Sequence, residues 1–312
     1  MTSSAAASAQ PSTPAQPRAA LHRAGRPDRE TGGTKGVGCR VFPLCLNTST
    51  IRPRTLAEKI EVAARAGYDM IELWSADVEA HLQSGGSLAA IRAQLQHAGL
   101  QVPSMIALSG WLDCSDADFP KVLASCRERL EAAAVLGCPR MVASPPGDAR
   151  VELGRAGERY AALLDLGRKI GVLPAMEFLG FVTQIHDLRT AMEICARAND
   201  RDATCVLDPF HIFRGGGDFD EVRLVPGHAV AICHFNDAPG DKPRAEQGDA
   251  DRVLPGDGVL PLEGLIRSLR AVGYHGPISL ELFNPGLWEQ DPVTVARDGL
   301  RRMREIIARA EA

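Results

Sequence analysis

The segment PAMEFLG at residues 174–180 is the first of four apolar stretches that each end near one metal-type side chain. The four are Glu177 in PAMEFLG, Asp208 in TCVLDPFH (204–211), His234 in VAICHFND (230–237) and Glu281 in PISLELFN (277–284). A water-facing polar side chain at the C-terminal end of a buried strand is how a (β/α)8 barrel builds its active site. The pattern therefore predicts both a fold and a site.

The rest of the chain has the alternation that this fold requires. Strand-like apolar runs occupy 41–47, 69–74, 101–108, 138–143, 172–178, 203–208, 229–235 and 276–283. Helix-periodic stretches follow at 54–66, 86–98, 116–136, 152–170, 185–198, 218–225, 262–272 and 292–310. Strands that alternate with helices pair in parallel through right-handed crossovers. We expect an α/β TIM barrel as a single domain, residues 39–312.

Glycines mark the ends of most of these helical stretches. Gly67, Gly99, Gly137, Gly171 and Gly273 each follow a helical pattern and precede a strand-like run. A glycine in the left-handed conformation is a common helix terminator, so the spacing supports the predicted order of elements.

Composition excludes several classes of function. The chain has 312 residues, a net charge of −4 and no basic stripe, which argues against nucleic acid and anionic membrane surfaces as partners. No run of about 18 apolar residues occurs, so no membrane span is expected. No GxGxxG follows the first strand and no GxxxxGK(S/T) is present, which removes the main signals of nucleotide-binding folds.

The cysteines and the first residues bear on the compartment. None of the eight cysteines has CxxC spacing and four lie in strand-like runs, where they act as small apolar residues. A reducing, cytoplasmic location is expected. Residues 1–38 are rich in Ala, Ser, Pro, Gln and Gly, and we interpret them as a disordered tail without the apolar stretch of a secretory signal. Residues 1–27 partly fit a transit peptide, but no amphipathic helix is apparent.

The four side chains can form one metal site. Consecutive strands of a barrel end at one mouth, so these side chains can meet there. Two Glu, one Asp and one His form an oxygen-rich set with one nitrogen, which favours Mn²⁺, with Mg²⁺, Co²⁺ or Zn²⁺ as alternatives. Separate pairing of each carboxylate with a barrel arginine is the other interpretation. Four such groups in phase on consecutive strands favour a shared cation, because each would otherwise be a costly buried charge.

Other polar side chains are candidates to contact a substrate. His211, three residues after Asp208, can reach over the mouth and donate to a substrate oxygen. Arg252, in DRVLPGDG, can anchor a hydroxyl or a carboxylate. Glu72 and Trp74, in IELW, end the second strand and can line the substrate side, although Trp74 can also simply cap the barrel core.

The loop 236–261 is the longest connection and contains four Gly and four Pro. Loops on this face of a barrel cover the site, so a functional role is expected. Asp237 and Asp251 are candidates for orienting His234 or Arg252 from this loop.

These groups suit proton transfer next to a carbonyl. An ion that chelates a ketone oxygen and a neighbouring hydroxyl acidifies the C–H bond between them and stabilises an enediolate. Carboxylates on opposite faces of that carbon, here Glu177 and Glu281, can remove and return the proton. Such a site isomerises or epimerises keto-sugars and keto-polyols, and loss of water from the same enediolate would make it a dehydratase.

Between CLNTSTIRP (45–53) and SLELFNPGLW (279–288) the chain resembles the xylose isomerase-like (sugar phosphate isomerase/epimerase) TIM-barrel family. The motifs EFLG, LDPFHIFRGG, HFND, DADRVLPGDG and SLELFNP resemble most its inosose (2-keto-myo-inositol) isomerase branch. The resemblance implies one divalent metal ion held by Glu177, Asp208, His234 and Glu281. It also implies proton transfer by Glu177 and Glu281, with His211 and Arg252 on the substrate.

The resemblance leaves alternatives open. Ketohexose 3-epimerases of the family carry a further Glu where this chain has Thr183, which weakens epimerisation of free ketohexoses. The family also includes dehydratases, and lyases that cleave C-glycosides of 3-keto sugars, with the same ligand set. Its DNA-repair endonucleases need more histidines than are present here. A catalytically silent barrel that binds a sugar or a protein is a further alternative, and a homo-oligomer is compatible with the resemblance.

Overall fold

The structure, a computed structural model, describes residues 42–312. The predicted tail, residues 1–38, lies outside the described residues. The predicted TIM barrel is confirmed: eight parallel strands follow one another around a closed barrel in chain order. The ring closes where Leu44 pairs with Ile278, between the first strand and the last.

All eight strands lie inside the stretches that the sequence predicts. They are β1 (Leu44–Asn47), β2 (Met70–Trp74), β3 (Met105–Leu108), β4 (Arg140–Ala143), β5 (Leu173–Met176), β6 (Cys205–Leu207), β7 (Val230–Phe235) and β8 (Ile278–Leu280). All eight are shorter than the apolar runs that contain them, and Glu177, Asp208 and Glu281 come directly after the last residues of β5, β6 and β8.

The helices form the outer layer of the barrel. They are α1 (Leu56–Ala66), α2 (Ser75–Gln83), α3 (Leu88–Ala98), α4 (Phe119–Val135), α5 (Leu153–Ile170), α6 (Leu188–Ala198), α7 (Pro209–Gly215), α8 (Leu262–Ala271), α9 (Pro285–Trp288) and α10 (Pro292–Glu311). Their ends follow local chemistry. Thr55 and Glu58 form a capping box at the start of α1, and Gly67 ends that helix with a φ of 92°.

Three details differ from the sequence interpretation. The chain enters α2 directly from β2 without a side-chain cap, so no start signal marks that helix. The short α7 begins at Pro209 with Asp208 as its N-cap, inside a stretch that reads as a loop. Residues 218–225, predicted as helical, form instead the 3-10 helix Phe219–Leu224.

Apolar side chains pack in two separate layers. The larger layer lies between the strands and the surrounding helices. The smaller layer, which we call the apolar wall, lies inside the barrel on β3 to β7 and consists of Ile106, Val142, Ala175, Val206 and Ile232. Its members alternate along their strands with residues of the outer layer, as the pleat of a barrel strand requires.

The remaining side of the barrel interior is polar. On β8, β1 and β2 the alternate positions carry Ser279, Asn47 and Glu72, all fully buried. Asn47 pairs with Glu72 across β1 and β2, and His234 pairs with Ser279 across β7 and β8. We give the name polar wall to Asn47, Glu72, Ser279 and Ser104, which comes just before β3. The polar wall lies beneath the site described next.

Two further observations concern the environment of the chain. All seven cysteines in the described residues are free, and six of them are buried. None of the helices in residues 42–312 is long and apolar enough to cross a membrane.

Candidate active site

Three of the four predicted ligands converge at the C-terminal mouth of the barrel. Asp208 comes directly after β6, His234 lies near the end of β7, and Glu281 comes directly after β8. One ligand atom of each lies within 4.8 Å of the others, and all three residues are buried. Adjacent parallel strands end at the same edge, so this convergence follows from the topology.

The imidazole of His234 provides the test of whether this set fits a metal ion. Its Nδ1 atom is buried without a hydrogen-bond partner among the described residues. The same atom lies 3.0 Å from Glu281 Oε2 and 3.7 Å from Asp208 Oδ2. A nitrogen that faces two carboxylate oxygens is the donor set of a cation bound by mixed N and O ligands. The residues therefore fit a divalent metal ion.

Charges also shift the pKa of His234. Burial by itself disfavours the imidazolium, but the carboxylates of Glu281 and Glu72 outweigh burial and raise the pKa of His234 well above its usual value. The raised pKa means that a metal ion binding at Nδ1 would compete with protonation of the ring, so its binding would be coupled to proton release.

Arg252 enters the mouth from the long loop as a buried cation. Its Nη1 donates to Asp208 Oδ2 at 2.9 Å and to Glu281 Oε2 at 2.8 Å. Its Nη2 donates to Asp249 Oδ1 at 2.6 Å. Burial opposes its charge, but the three carboxylates outweigh burial and raise the pKa of Arg252. One guanidinium balances only part of the negative charge of these three carboxylates, and a divalent cation would balance the remainder.

Glu177 comes directly after β5, the neighbour of the strand that Asp208 follows, and does not belong to the group of three whose ligand atoms lie within 4.8 Å of one another. Its Oε2 accepts a hydrogen bond from Ser144 Oγ at 2.6 Å. Burial raises the pKa of Glu177 to about 8, with the charges of Glu281 and Asp208 acting in the same direction. The carboxyl can therefore hold or release a proton near neutral pH, as a general acid or base must.

His211 lies in α7, above Asp208. Its Nδ1 accepts from the backbone N–H of Gly180 at 3.2 Å. Burial lowers the pKa of His211 to about 4, so the ring is neutral and carries its hydrogen on Nε2. That Nε2 lies 3.0 Å from Nη2 of Arg252. Two donors then face each other, and an oxygen atom of a bound molecule could accept from both.

Trp74 forms part of the wall at the mouth. Its side chain is half-buried and its Nε1 donates to Asn47 Oδ1 at 2.9 Å. Its ring meets Phe283 edge-on at 5.6 Å. The sequence did not reveal this aromatic partner, and the contact of Trp74 with a substrate stays a prediction.

Glu72 lies deeper than predicted. Its carboxylate accepts from Asn47 Nδ2 at 2.8 Å and Ser279 Oγ at 2.7 Å, and also from Ser104 Oγ. Nε2 of His234 lies 3.3 Å from Oε1. The residue is fully buried and surrounded by protein groups. The expectation that Glu72 lines the substrate side is therefore wrong: it lies behind His234, one layer below the mouth.

The loop aspartates also differ from expectation. Asp237 does not orient His234; its carboxylate accepts from backbone N–H groups of the loop itself, including those of Gly256 and Leu260. Asp251 pairs with Lys242 at 2.7 Å. The role of holding Arg252 falls to Asp249, and the contact with His234 falls to Glu72. Any of the loop aspartates could make such contacts, and the sequence does not say which one folds inward.

Comparisons with known proteins identify the family of the chain. The profile of the family described as "Xylose isomerase-like TIM barrel" matches residues 60–306. An inosose isomerase of Bacillus velezensis is 25% identical over 249 residues. The match covers 78% of this chain and 89% of the length of that isomerase. A 3-dehydroshikimate dehydratase of Pseudomonas aeruginosa is 27% identical and covers 80% of this chain, but only 39% of its own length is matched. Among solved structures, the IOLI protein, described with a bound zinc atom, has a TM-score of 0.80 and 23% identity, covering 86% of this chain and 99% of its own.

Proposed function

The chain belongs to the xylose isomerase-like TIM-barrel family, and on that basis we propose that it is a divalent-metal-dependent isomerase or epimerase. We propose a keto-polyol or keto-sugar as substrate, an inosose in the first place, and an enediolate as the intermediate. The observation that carries the proposal is the convergence of Asp208, His234 and Glu281 around the unpartnered Nδ1. The inosose isomerases among the relatives support the choice of substrate.

We propose that Asp208, His234 and Glu281 hold the metal ion, with Glu177 as the fourth ligand. When bound, the ion would polarise the carbonyl of the substrate and lower the pKa of the adjacent C–H. Mn²⁺ is the proposed ion for this oxygen-rich set, with Zn²⁺, Mg²⁺ and Co²⁺ as alternatives.

The two glutamates are the proposed proton carriers. Glu177 follows β5 and Glu281 follows β8, so their carboxyl groups approach the mouth from different sides. A proton removed by one group and returned by the other would invert a carbon, whereas return to the neighbouring carbon would move the carbonyl. The raised pKa of Glu177, about 8, suits a group that gains and loses a proton during turnover.

Neutral His211 and charged Arg252 are the proposed substrate donors. The Nε2 atom of His211 and the Nη2 atom of Arg252 lie 3.0 Å apart, so one substrate oxygen beside them could accept a hydrogen bond from both. The rings of Phe181 and Phe210 lie within 6 Å of the His211 ring and would limit the access of water to the reacting carbon.

A second candidate is a lyase or dehydratase with the same site. Relatives named 3-dehydroshikimate dehydratase favour it at 26–27% identity. The first step would be the same removal of a proton next to a carbonyl, and the enediolate would then lose a β-substituent instead of regaining a proton. This candidate extends to 3-keto sugars and their C-glycosides.

Solvent hydrogen exchange tests the proposal and separates the candidates. Purified protein loaded with Mn²⁺ is incubated in D₂O with 2-keto-myo-inositol (scyllo-inosose), with a 3-keto-glucoside or with 3-dehydroshikimate. Proton NMR follows the carbon next to the carbonyl. Deuterium uptake with a new isomer supports the isomerase, and loss of water or of the aglycone supports the lyase. No reaction with any of them by a metal-loaded protein would contradict the proposal.

Matched variants locate the reaction. Glu177→Gln and Glu281→Gln keep the side-chain shape and should each abolish exchange. Glu193→Gln changes an exposed carboxylate on α6 that pairs with Arg197, and it should leave exchange unchanged.

We also propose a cytoplasmic location and small-molecule partners only. The free state of all seven described cysteines supports a reducing compartment.

A further inference from the structure

We propose that Glu72 is the positioning residue of the metal centre. Its buried carboxylate holds His234 as the tautomer with hydrogen on Nε2, which leaves Nδ1 free to bind a metal ion. This inference rests on the proposed function only in assuming that the site takes up a metal ion.

The hydrogen bonds around Glu72 fix it as an acceptor. Asn47 Nδ2 and Ser279 Oγ donate to Oε2, and Ser104 Oγ donates to Oε1. Nε2 of His234 lies 3.3 Å from both oxygens. A carboxylate has about four acceptor positions, and these four donors occupy them. Glu72 is therefore held as an unprotonated carboxylate, which accepts a hydrogen bond from each of these neighbours.

The tautomer of His234 follows from these contacts. Both ring nitrogens face carboxylates, so the ring can hold a hydrogen on each; with Nδ1 given to a metal ion, the one remaining hydrogen would lie on Nε2, which faces Glu72. Nδ1 faces Glu281 Oε2 and Asp208 Oδ2, which belong to two of the other proposed ligands. A carboxylate behind a metal-binding histidine fixes the ring orientation and makes the free nitrogen a better ligand. The reverse tautomer would place a hydrogen where the ion should bind.

Asn47 extends the same arrangement to a second ligand. Its Oδ1 accepts from the backbone N–H of Ser49 and from Trp74 Nε1, both at 2.9 Å, so the amide cannot turn over without losing both bonds. Its Nδ2 is therefore held toward the carboxylates, 2.8 Å from Glu72 Oε2 and 3.1 Å from Glu281 Oε1. One buried carboxylate is thus connected to two of the proposed ligands.

The location of Glu72 gives it no simpler use. It is fully buried, one layer below the mouth, at a position where the other side of the barrel carries apolar side chains. A buried carboxylate is costly, and an apolar side chain there would serve packing better. A charge kept at this position with three neutral donors around it indicates a role toward His234.

The test is a Glu72→Gln variant of the full chain, titrated with Co²⁺ in competition with a chromophoric chelator. Gln keeps the shape of the side chain. Because Asn47 and Ser279 both donate to the Oε2 position, the Gln carbonyl should turn there. Its NH₂ group should then take the Oε1 position, where it replaces one of the two acceptor oxygens that lie 3.3 Å from Nε2 of His234 and removes the negative charge behind the ring. We expect Co²⁺ to bind about 10- to 100-fold more weakly, with a changed visible spectrum.

A second readout follows the tautomer directly. In zinc-loaded protein with ¹⁵N-labelled histidine, wild type should show a slowly exchanging Nε2–H signal for His234, assigned by its absence in His234→Gln. In Glu72→Gln that signal should be lost or exchange much faster. A role of Glu72 in packing alone would leave this signal in place.

Two further variants serve as matched controls. Ser279→Ala removes one donor to Glu72 but leaves the carboxylate, and it should weaken Co²⁺ binding by only a few fold. This variant keeps the proposal testable if Glu72→Gln fails to fold. Thr204→Val removes a partly buried hydrogen bond with Arg140, away from the proposed ligands, and its Co²⁺ affinity should equal that of wild type.

The outcomes separate two failures. If wild type binds Co²⁺ tightly and Glu72→Gln binds it equally well with an unchanged Nε2–H signal, the positioning role is wrong and the proposed function stands. If wild type binds neither Co²⁺ nor Zn²⁺, the proposed metal-dependent function fails and this inference fails with it.

Discussion

The apolar wall and the polar wall occupy equivalent inward positions of one barrel, yet they treat a buried carboxylate in opposite ways. Glu177 lies above the apolar wall with Ser144 as its hydrogen-bond donor, and burial raises its pKa to about 8. Glu72 lies within the polar wall. Burial would raise its pKa too, but His234, Ser104 and Ser279 outweigh burial and lower it.

The difference shows how one interior can supply two kinds of carboxylate. A buried carboxyl group that accepts few hydrogen bonds gains and loses a proton near neutral pH, which suits a role in proton transfer. A carboxylate with a full set of donors stays charged and fixed, which suits the orientation of a neighbour. The apolar wall thus leaves Glu177 reactive, whereas the polar wall makes Glu72 inert.

The largest effect should come from the reactive carboxyls. Glu177→Gln should lower kcat for the substrate that turns over by about 10²- to 10⁴-fold, because a proton carrier is lost while the shape remains. Steady-state kinetics checks this, with deuterium exchange as the independent readout. Wild-type kcat in this variant would contradict the contrast between the two walls at its most important point.

Truncation of the apolar wall should affect stability and not chemistry. Ile232→Ala removes a fully buried side chain on β7 and should lower the free energy of unfolding by about 2–5 kcal/mol. Denaturant titration measures the loss. The kcat of the folded fraction should stay within a few fold of wild type, since Ile232 has no hydrogen bond to the site. A collapse of kcat in fully folded protein would mean that this wall also orients ligands.

The pH dependence of stability should reveal the raised pKa of Glu177. In the unfolded chain this group loses its proton near its usual value of 4.5, whereas the folded chain keeps it to about 8. The folded state therefore loses stability as pH rises through that window. Metal-free Glu177→Gln lacks this loss, so its advantage over wild type should grow by on the order of 3 kcal/mol between pH 5 and pH 8. Thermal or urea unfolding of both proteins at the two pH values decides it, and a constant difference would exclude the raised pKa.

The smallest effect should come from a single donor in the polar wall. Ser279→Ala removes one hydrogen bond to Glu72 and should cost about 1 kcal/mol of unfolding free energy. Calorimetry or urea unfolding at pH 7 measures it. A stabilised variant would show that the donors of the polar wall are not needed to keep Glu72 charged.

The fold was predictable because each of its signals is local. Alternation of apolar runs with helical periods, and glycines such as Gly67 and Gly171 at the helix ends, need no knowledge of tertiary contacts. Asp208, His234 and Glu281 were predictable for the same reason, since strand ends in a parallel barrel share one mouth.

What escaped prediction depends on depth and on loop conformation. Glu72 and Trp74 face the same way on β2. Only the structure shows that Trp74 lies at the mouth, whereas Glu72, two residues earlier, lies in the buried layer beneath it. Asn47, Ser104 and Ser279 are small polar residues whose meaning comes from the register of neighbouring strands. The inward turn of Asp249, rather than Asp251, depends on the path of the whole loop.

Arg252 has a consequence for how the protein is made. Its guanidinium lies between Asp208 and Glu281 and packs against the rings of Phe210 and Phe283, 4.8 and 5.2 Å from their centres. Arg252 therefore serves as a counter-ion for the acidic side chains of the mouth as soon as the barrel is complete. Because Arg252 balances part of this charge, the barrel needs no metal ion to neutralise its mouth while it forms, and the proposed ion would bind to a chain that is already folded.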